Sequence, residues 1–273
     1  MPFNPMHDEH LPVTSLHSGD GHEVLTDVYC LPVQIVNVYF IGTPDRPDNW
    51  VLVDAGMPGT ESEIMAAAHA RFGPSARPRA IVLTHGHFDH VGAVVELARH
   101  WDVPVYVHPR EMPFVTGQSA YPEPDPSVGG GMVARLSRWF PNKPVDLGDH
   151  VRELPEDGSV PELPDWEWIH TPGHTRGHIS LFRQVDRAMV VGDAFVTVQQ
   201  ESLYKVFTQQ RELSGPPRYF TEDWTAAKAS VQRLAERAPS VAMTGHGMAM
   251  GGPELREGLR DLIERFDELA TPD

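Results

Sequence analysis

The segment Thr84-His85-Gly86-His87-Phe88-Asp89-His90 places three imidazoles and a carboxylate across six consecutive positions, directly after the apolar run Ala80-Ile81-Val82-Leu83. A strand therefore delivers these groups into a tight turn. Neutral imidazole and carboxylate are the donor set of borderline, zinc-like cations. A core gives no reason for such a cluster, because each polar group buried there needs a partner of its own. The chemistry this spacing points to is metal binding.

The same arrangement of strand and then polar turn recurs along the chain. Trp50-Val51-Leu52-Val53 reads as a short buried strand that ends at Asp54-Ala55-Gly56. Trp166-Glu167-Trp168-Ile169 leads to Thr171-Pro172-Gly173-His174-Thr175-Arg176-Gly177-His178. Residues 179–184 and 188–191 read as a hairpin, followed by Gly192-Asp193-Ala194, and residues 240–243 lead into Thr244-Gly245-His246-Gly247. Loops at strand ends, collected at one edge of a scaffold, are where sites are built.

Other elements frame these ends. Residues 23–29, 33–41 and 103–107 read as strands. Thr60-Glu61-Ser62-Glu63 has the form of a capping box opening a helix that Gly73-Pro74 stops. Residues 91–100 and 221–237 read as helices, and Pro253 starts a last one through Leu255, Leu259, Leu262 and Phe266. Strands then helices, given twice, suit two sheets flanked by helices. Residues 1–20 form a polar segment, and 21–273 are expected to form one domain. Its Pro/Gly-rich excursion at about 117–164, with a short helix near 132–140, walls a pocket or runs over the surface.

Composition narrows the function classes. The 273 residues carry a formal charge of −16, which repels nucleic acid and anionic membranes. No stretch approaches the length of a membrane span, and residues 1–20 lack the pattern of a secretory signal. One cysteine, Cys30, rules out an intrachain disulfide. It reads as a small buried hydrophobe near a strand end, in keeping with a reducing cytoplasm, the compartment we expect. The expected partner is a small-molecule substrate; a homodimer is left open.

The pattern His-x-His-x-Asp-His resembles the signature turn of the metallo-β-lactamase superfamily. Asp54, His174, Asp193 and His246 match the family's other motifs in order, over about residues 22–250. The resemblance implies an α+β fold, a four-layer αββα sandwich, with two divalent metal ions. It implies that His85, His87 and His174 hold the first ion and that Asp89, His90 and His246 hold the second. Asp193 bridges them, as in the glyoxalase-II-like branch. Asp54 is then a partner that orients a ligand by hydrogen bond, and His178 makes a structural hydrogen bond. A hydroxide shared by the two ions is the expected nucleophile, the oxyanion rests on the second ion, and Asp89 steers the proton. Zinc is the default; iron or manganese suits the same donors.

Differences from other branches point to a hydrolase of a thioester, ester or lactone. Asp193 argues against a true β-lactamase, which lacks the bridging acid. His87 replaces the glutamate of flavin-linked diiron enzymes. Phe195-Val196-Thr197 lacks the tyrosine that acyl-homoserine lactonases carry after the bridging aspartate. The acidic C-terminal helix does not suit glutathione. A mononuclear-iron persulfide dioxygenase is the runner-up, although its Gly-Arg-x-Asp-Phe stretch is absent, and a non-catalytic metal-binding protein is the third reading. Met132, Trp139, Tyr219, Phe220 and Trp224 are candidate pocket residues. Lys205, Arg211 and Arg218 are candidate holders of a substrate carboxylate, with nothing to choose among them. His7, His10, His17 and His22 read as solvated, and His100, His108, His150 and His170 as ordinary surface or core residues.

Overall fold

The computed structural model describes residues 1–9, 14–123, 141–198 and 211–271. The chain divides into two compact units, Met1–Pro122 with Pro141–Pro164, and Glu123–Phe140 with Asp165–Asp273.

The first unit is built on a seven-stranded sheet whose spatial order follows the chain. Its strands are β1 (His22–Leu25), β2 (Val28–Val33), β3 (Val36–Ile41), β4 (Val51–Val53), β5 (Ala80–Val82), β6 (Val105–Val107) and β7 (Val151–Glu153). The first four pair antiparallel and the last four parallel. Both faces of β4 and β5 are buried, which suits their unbroken Val/Ile/Leu/Ala runs. Helices α1 (Glu61–Phe72), α2 (Phe88–Val91), α3 (Val94–Trp101) and α4 (Met112–Val115) belong to the same unit. Trp50 stacks on Phe72 with ring centroids 4.5 Å apart, fixing α1 against the sheet.

Register places the chemistry. Val53 lies beside Val82 in the parallel pair β4–β5, so Asp54 and the turn from Leu83 leave neighbouring strand ends. In open sheets with parallel strands, ligands bind outside those carboxyl ends.

In the second unit β10 (Ile179–Arg183) lies between β9 (Leu163–His170) and β11 (Ala188–Gly192), antiparallel to both. The strand β12 (Val241–Thr244) runs parallel to β11 and antiparallel to β13 (Met250–Gly251). A short strand, β8 (Ser159–Val160), precedes β9 in the chain. His170 pairs with Ile179, so residues 171–178 form the β9–β10 connection. Gly192 pairs with Thr244, which sets Asp193 beside the turn that carries His246. Helices α5 (Trp224–Glu236), α6 (Gly252–Glu264) and α7 (Phe266–Leu269) belong to the same unit. Val231, Leu234, Leu255, Leu259, Leu262 and Phe266 form a core with Phe182, Met189 and Val191 of its sheet.

Several boundaries differ from the sequence reading. Residues 33–41 are broken at Gln34, whose φ of 57° turns the chain between β2 and β3. The helix expected over 91–100 splits at Gly92, where an added Cβ would come within 2.2 Å of the Met57–Pro58 backbone. Thr60 makes no side-chain cap to α1; its hydroxyl donates instead to the Met57 carbonyl at 2.6 Å. The N-terminal residues are tied down. Met6 is buried, and Asn4 donates to the Gly92 carbonyl at 2.7 Å and to Glu96 at 2.9 Å. His7 lies 3.4 Å from Glu96. His10, Met132, Trp139, Lys205 and the short helix expected near 132–140 fall outside the described residues. Among the described residues no helix is long and apolar enough to cross a membrane.

Cys30 sits in β2, 1% exposed. Burial pushes its thiol up to about 12, against a smaller opposing effect from a hydrogen bond with Tyr39. Thiolate, the reactive form, is then scarce at neutral pH. The native protein is expected to resist iodoacetamide at pH 8 and to react fully once unfolded, read by mass spectrometry. Rapid labelling of the native chain would contradict this placement.

Candidate metal centre

In the first unit the site is assembled around Asp54. The residue ends β4 with φ 62°, a left-handed backbone that aspartate tolerates better than most side chains. Its Oδ1 accepts the Thr84 amide at 2.8 Å, and its Oδ2 accepts the Thr84 hydroxyl at 2.8 Å. His90 Nδ1 lies 2.8 Å from the same Oδ2. A carboxylate in these contacts can only accept, so His90 carries its proton on Nδ1 and keeps a lone pair on Nε2. The backbone ties the same pieces together, with Ala55 N donating to the His90 carbonyl at 2.8 Å.

Thr84 passes this order on. Its one hydroxyl proton goes to Asp54, so at the 3.1 Å contact with His85 Nδ1 the imidazole is the donor. His85 Nε2 is left as a lone pair and lies 3.1 Å from His87 Nδ1. The rings of His85 and His90 are 4.2 Å apart. His85, His87, Asp89 and His90 are all buried. Imidazole and carboxylate donors crowded into a buried turn are a donor set that suits a cation.

The second unit gathers His174, His178, Asp193 and His246, all at most 2% exposed. Asp193 Oδ2 lies 3.5 Å from His174 Nε2 and 3.3 Å from His246 Nε2, so one carboxylate oxygen lies against two imidazoles. Thr221 donates its hydroxyl to the Pro217 carbonyl at 2.8 Å. At its 3.2 Å contact with His174 Nδ1 it must then accept, so the ring carries its proton on Nδ1 and turns Nε2 toward Asp193.

His178 holds the backbone of Asp193. The Asp193 amide donates to His178 Nε2 at 2.9 Å, so His178 is neutral with its proton on Nδ1. A directed chain follows: Nδ1–H to Thr171 Oγ1 at 2.8 Å, Thr171 to Ser180 at 3.1 Å, and Ser180 to the Val191 carbonyl at 2.7 Å. The Thr171 hydroxyl also reaches the His178 carbonyl at 3.4 Å, a longer contact than the one to Ser180.

The other expected residues fall as follows. Tyr219 is buried, and its ring meets Phe220 edge-on at 4.9 Å. Trp224 starts α5 and packs against the core, 6.5 Å from Phe266. Arg218 donates to the Leu269 carbonyl at 2.7 Å, and Arg211 lies 3.5 Å from Glu254. Thr197 is fully buried and bonds the Met248 carbonyl at 2.7 Å. His108 accepts from the Arg110 amide, His150 lies against the Val103 carbonyl and His170 against that of Arg176. Sequence reasoning missed Thr221, Thr171 and Ser180 as orienting groups, and Glu111 and Tyr121, which press on Gly86.

Comparison with known proteins decides the family. The model of the metallo-beta-lactamase superfamily matches residues 31–246. The chain belongs to this superfamily. A relative named probable metallo-hydrolase YflN, from Bacillus subtilis (strain 168), is 50% identical over 264 residues, covering 97% of this chain and 100% of the relative. A hydroxyacylglutathione hydrolase of Bdellovibrio bacteriovorus is 28% identical over 82% of this chain and 78% of its own length. Among solved structures, TTHA1623 in a di-iron-bound form has a TM-score of 0.52 and 29% identity, covering 79% of this chain and 89% of that one. A B3 metallo-beta-lactamase with an active-site glutamic acid has a TM-score of 0.60 at 19% identity, covering 90% of this chain and 89% of that one, a likeness of fold. The two sheets with their helices agree with that fold, and membership of a metallo-hydrolase family supports hydrolase activity.

Asp54→Ala removes one acceptor from three buried donors. It should destabilise the metal-free protein by about 3 kcal/mol, read by urea denaturation; a loss below about 0.5 kcal/mol would contradict the role given to this carboxylate.

Proposed function

We propose that the two groups of donors act as one centre for two divalent ions, and that the protein hydrolyses a small carbonyl substrate, a thioester, ester or lactone. In this reading His85, His87 and His174 would hold one ion and Asp89, His90 and His246 the other, with Asp193 available to both. The observation that carries it is the Asp193 oxygen shared by His174 and His246 at 3.5 and 3.3 Å. A carboxylate placed against imidazoles from two separate loops suits a bridge between two cations, each with a histidine of its own.

The ions would supply a water activated near neutral pH and polarise the substrate carbonyl. The chain's own residues do the rest. Asp54 and Thr84 orient His90 and His85, Thr221 orients His174, and His178 holds the Asp193 backbone. Asp89, on α2, would take a proton from the attacking water and pass it to the departing thiol or alcohol as the acyl bond breaks. Donors fixed in advance cost no reorganisation at the moment of reaction. Zinc is the default ion, and iron or manganese suits the same donors.

His85→Ala and Asp193→Ala should each lower metal content by about one ion or more per chain. Because changes one step removed from the metal already cost about 10- to 100-fold, hydrolysis should fall by at least about 100-fold. Mass-spectrometric metal analysis, with a screen of thioesters, esters and lactones, checks both. Full metal occupancy in the two variants would overturn the assignment. Persulfide-dependent oxygen uptake by a one-iron protein would replace the hydrolase with a dioxygenase.

A further inference from the structure

Glu111 and Tyr121 stand outside the donor set, yet both are aimed at it. Glu111 ends the 3-10 turn Pro109–Glu111 and is 1% exposed. A carboxylate buried that deeply requires hydrogen-bonding partners. The Gly86 amide donates to its Oε2 at 2.9 Å, and the Tyr121 hydroxyl donates to the same oxygen. The phenol has one proton, and it goes to Glu111. At its 3.0 Å contact with Gly86 N the phenol oxygen therefore accepts, and the amide is shared between two acceptors.

Gly86 lies between His85 and His87, whose facing nitrogens are 3.1 Å apart. The Tyr121 ring is itself held. Phe114 stacks on it at 3.8 Å with a 12° interplanar angle, and the His87 ring meets it at 4.5 Å and 61°. The approach is close, since a Cβ on Gly86 would lie 2.9 Å from the phenol oxygen and 3.3 Å from Glu111 Oε2 and would push on both.

We propose that Glu111 and Tyr121 are positioning residues that clamp the Gly86 amide and the His87 ring, so that His85 Nε2 and His87 Nδ1 are set as a pair before a cation arrives. The inference rests on the two-ion reading above and adds to it how one ion's donors are pre-arranged. Core packing alone would call for the rings of Tyr121 and Phe114 but not for a buried carboxylate bonded to the amide between two histidines.

The test uses the full chain, stripped of metal and titrated with cobalt(II) against a chromophoric chelator, with the visible cobalt spectrum recorded. Tyr121→Phe keeps the ring and removes the hydroxyl, Glu111→Ala removes the acceptor, and Glu111→Gln retains a carbonyl oxygen for the Gly86 amide. Tyr121→Phe and Glu111→Ala should weaken one of the two binding steps by about 10- to 100-fold and shift its cobalt bands. Glu111→Gln should recover most of the affinity. The melting temperature of the metal-free variants separates the clamp from simple packing. Lower stability with both binding steps within about threefold of wild type would overturn the clamp and leave the two-ion reading intact. Failure of the wild-type chain to take up cobalt would overturn both.

Discussion

Two strands that run side by side in the same direction deliver Asp54 and Thr84 to adjacent positions, and the first unit's donor arrangement follows from how those two residues bond. Asp54 adopts a left-handed backbone that costs a typical side chain about 1–2 kcal/mol. Three hydrogen bonds to its carboxylate, two from Thr84 and one from His90, offset that cost. They tie the end of β4, the turn after β5 and the first turn of α2 into one piece. The close approach of Gly92 to the backbone at Met57–Pro58 holds the same loop from the other side.

Direction matters as much as distance here. Each of His85, His90 and His174 gives its Nδ1 proton to an oxygen whose own proton is committed elsewhere or absent, and so presents Nε2 as a lone pair. His178 has the same tautomer but uses its lone pair on the Asp193 amide. One tautomer therefore serves two purposes, presenting donors in three rings and fixing a carboxylate's backbone in the fourth. Buried networks of this kind are favourable only when every member is satisfied, which explains why threonine and serine hydroxyls accompany the histidines.

Much of this was legible in the chain because it is local. Short apolar runs followed at once by His or Asp marked the strand ends, and Asp54 and His178, singled out there, contact His90 and the Asp193 amide. What was not legible is non-local. Glu111 and Tyr121 reach Gly86 across 25 and 35 residues, and Thr221 reaches His174 across 47, with no periodicity to announce them. Local signals also misled where tertiary contacts competed. Thr60 has the spacing of a capping box, but the Met57 carbonyl is nearer to hand for its hydroxyl. The β-branched run 33–41 reads as one strand, yet Gln34 turns it into a hairpin. Nothing in the polar segment 1–20 announced that Met6 and Asn4 are buried in the first unit.

The most direct test of the two-ion centre is anomalous diffraction, recorded on either side of the metal absorption edge from crystals of the metal-loaded protein. The account predicts two peaks per chain, one bounded by His85, His87 and His174, the other by Asp89, His90 and His246, with Asp193 touching both. A single peak, or peaks away from these residues, would contradict it.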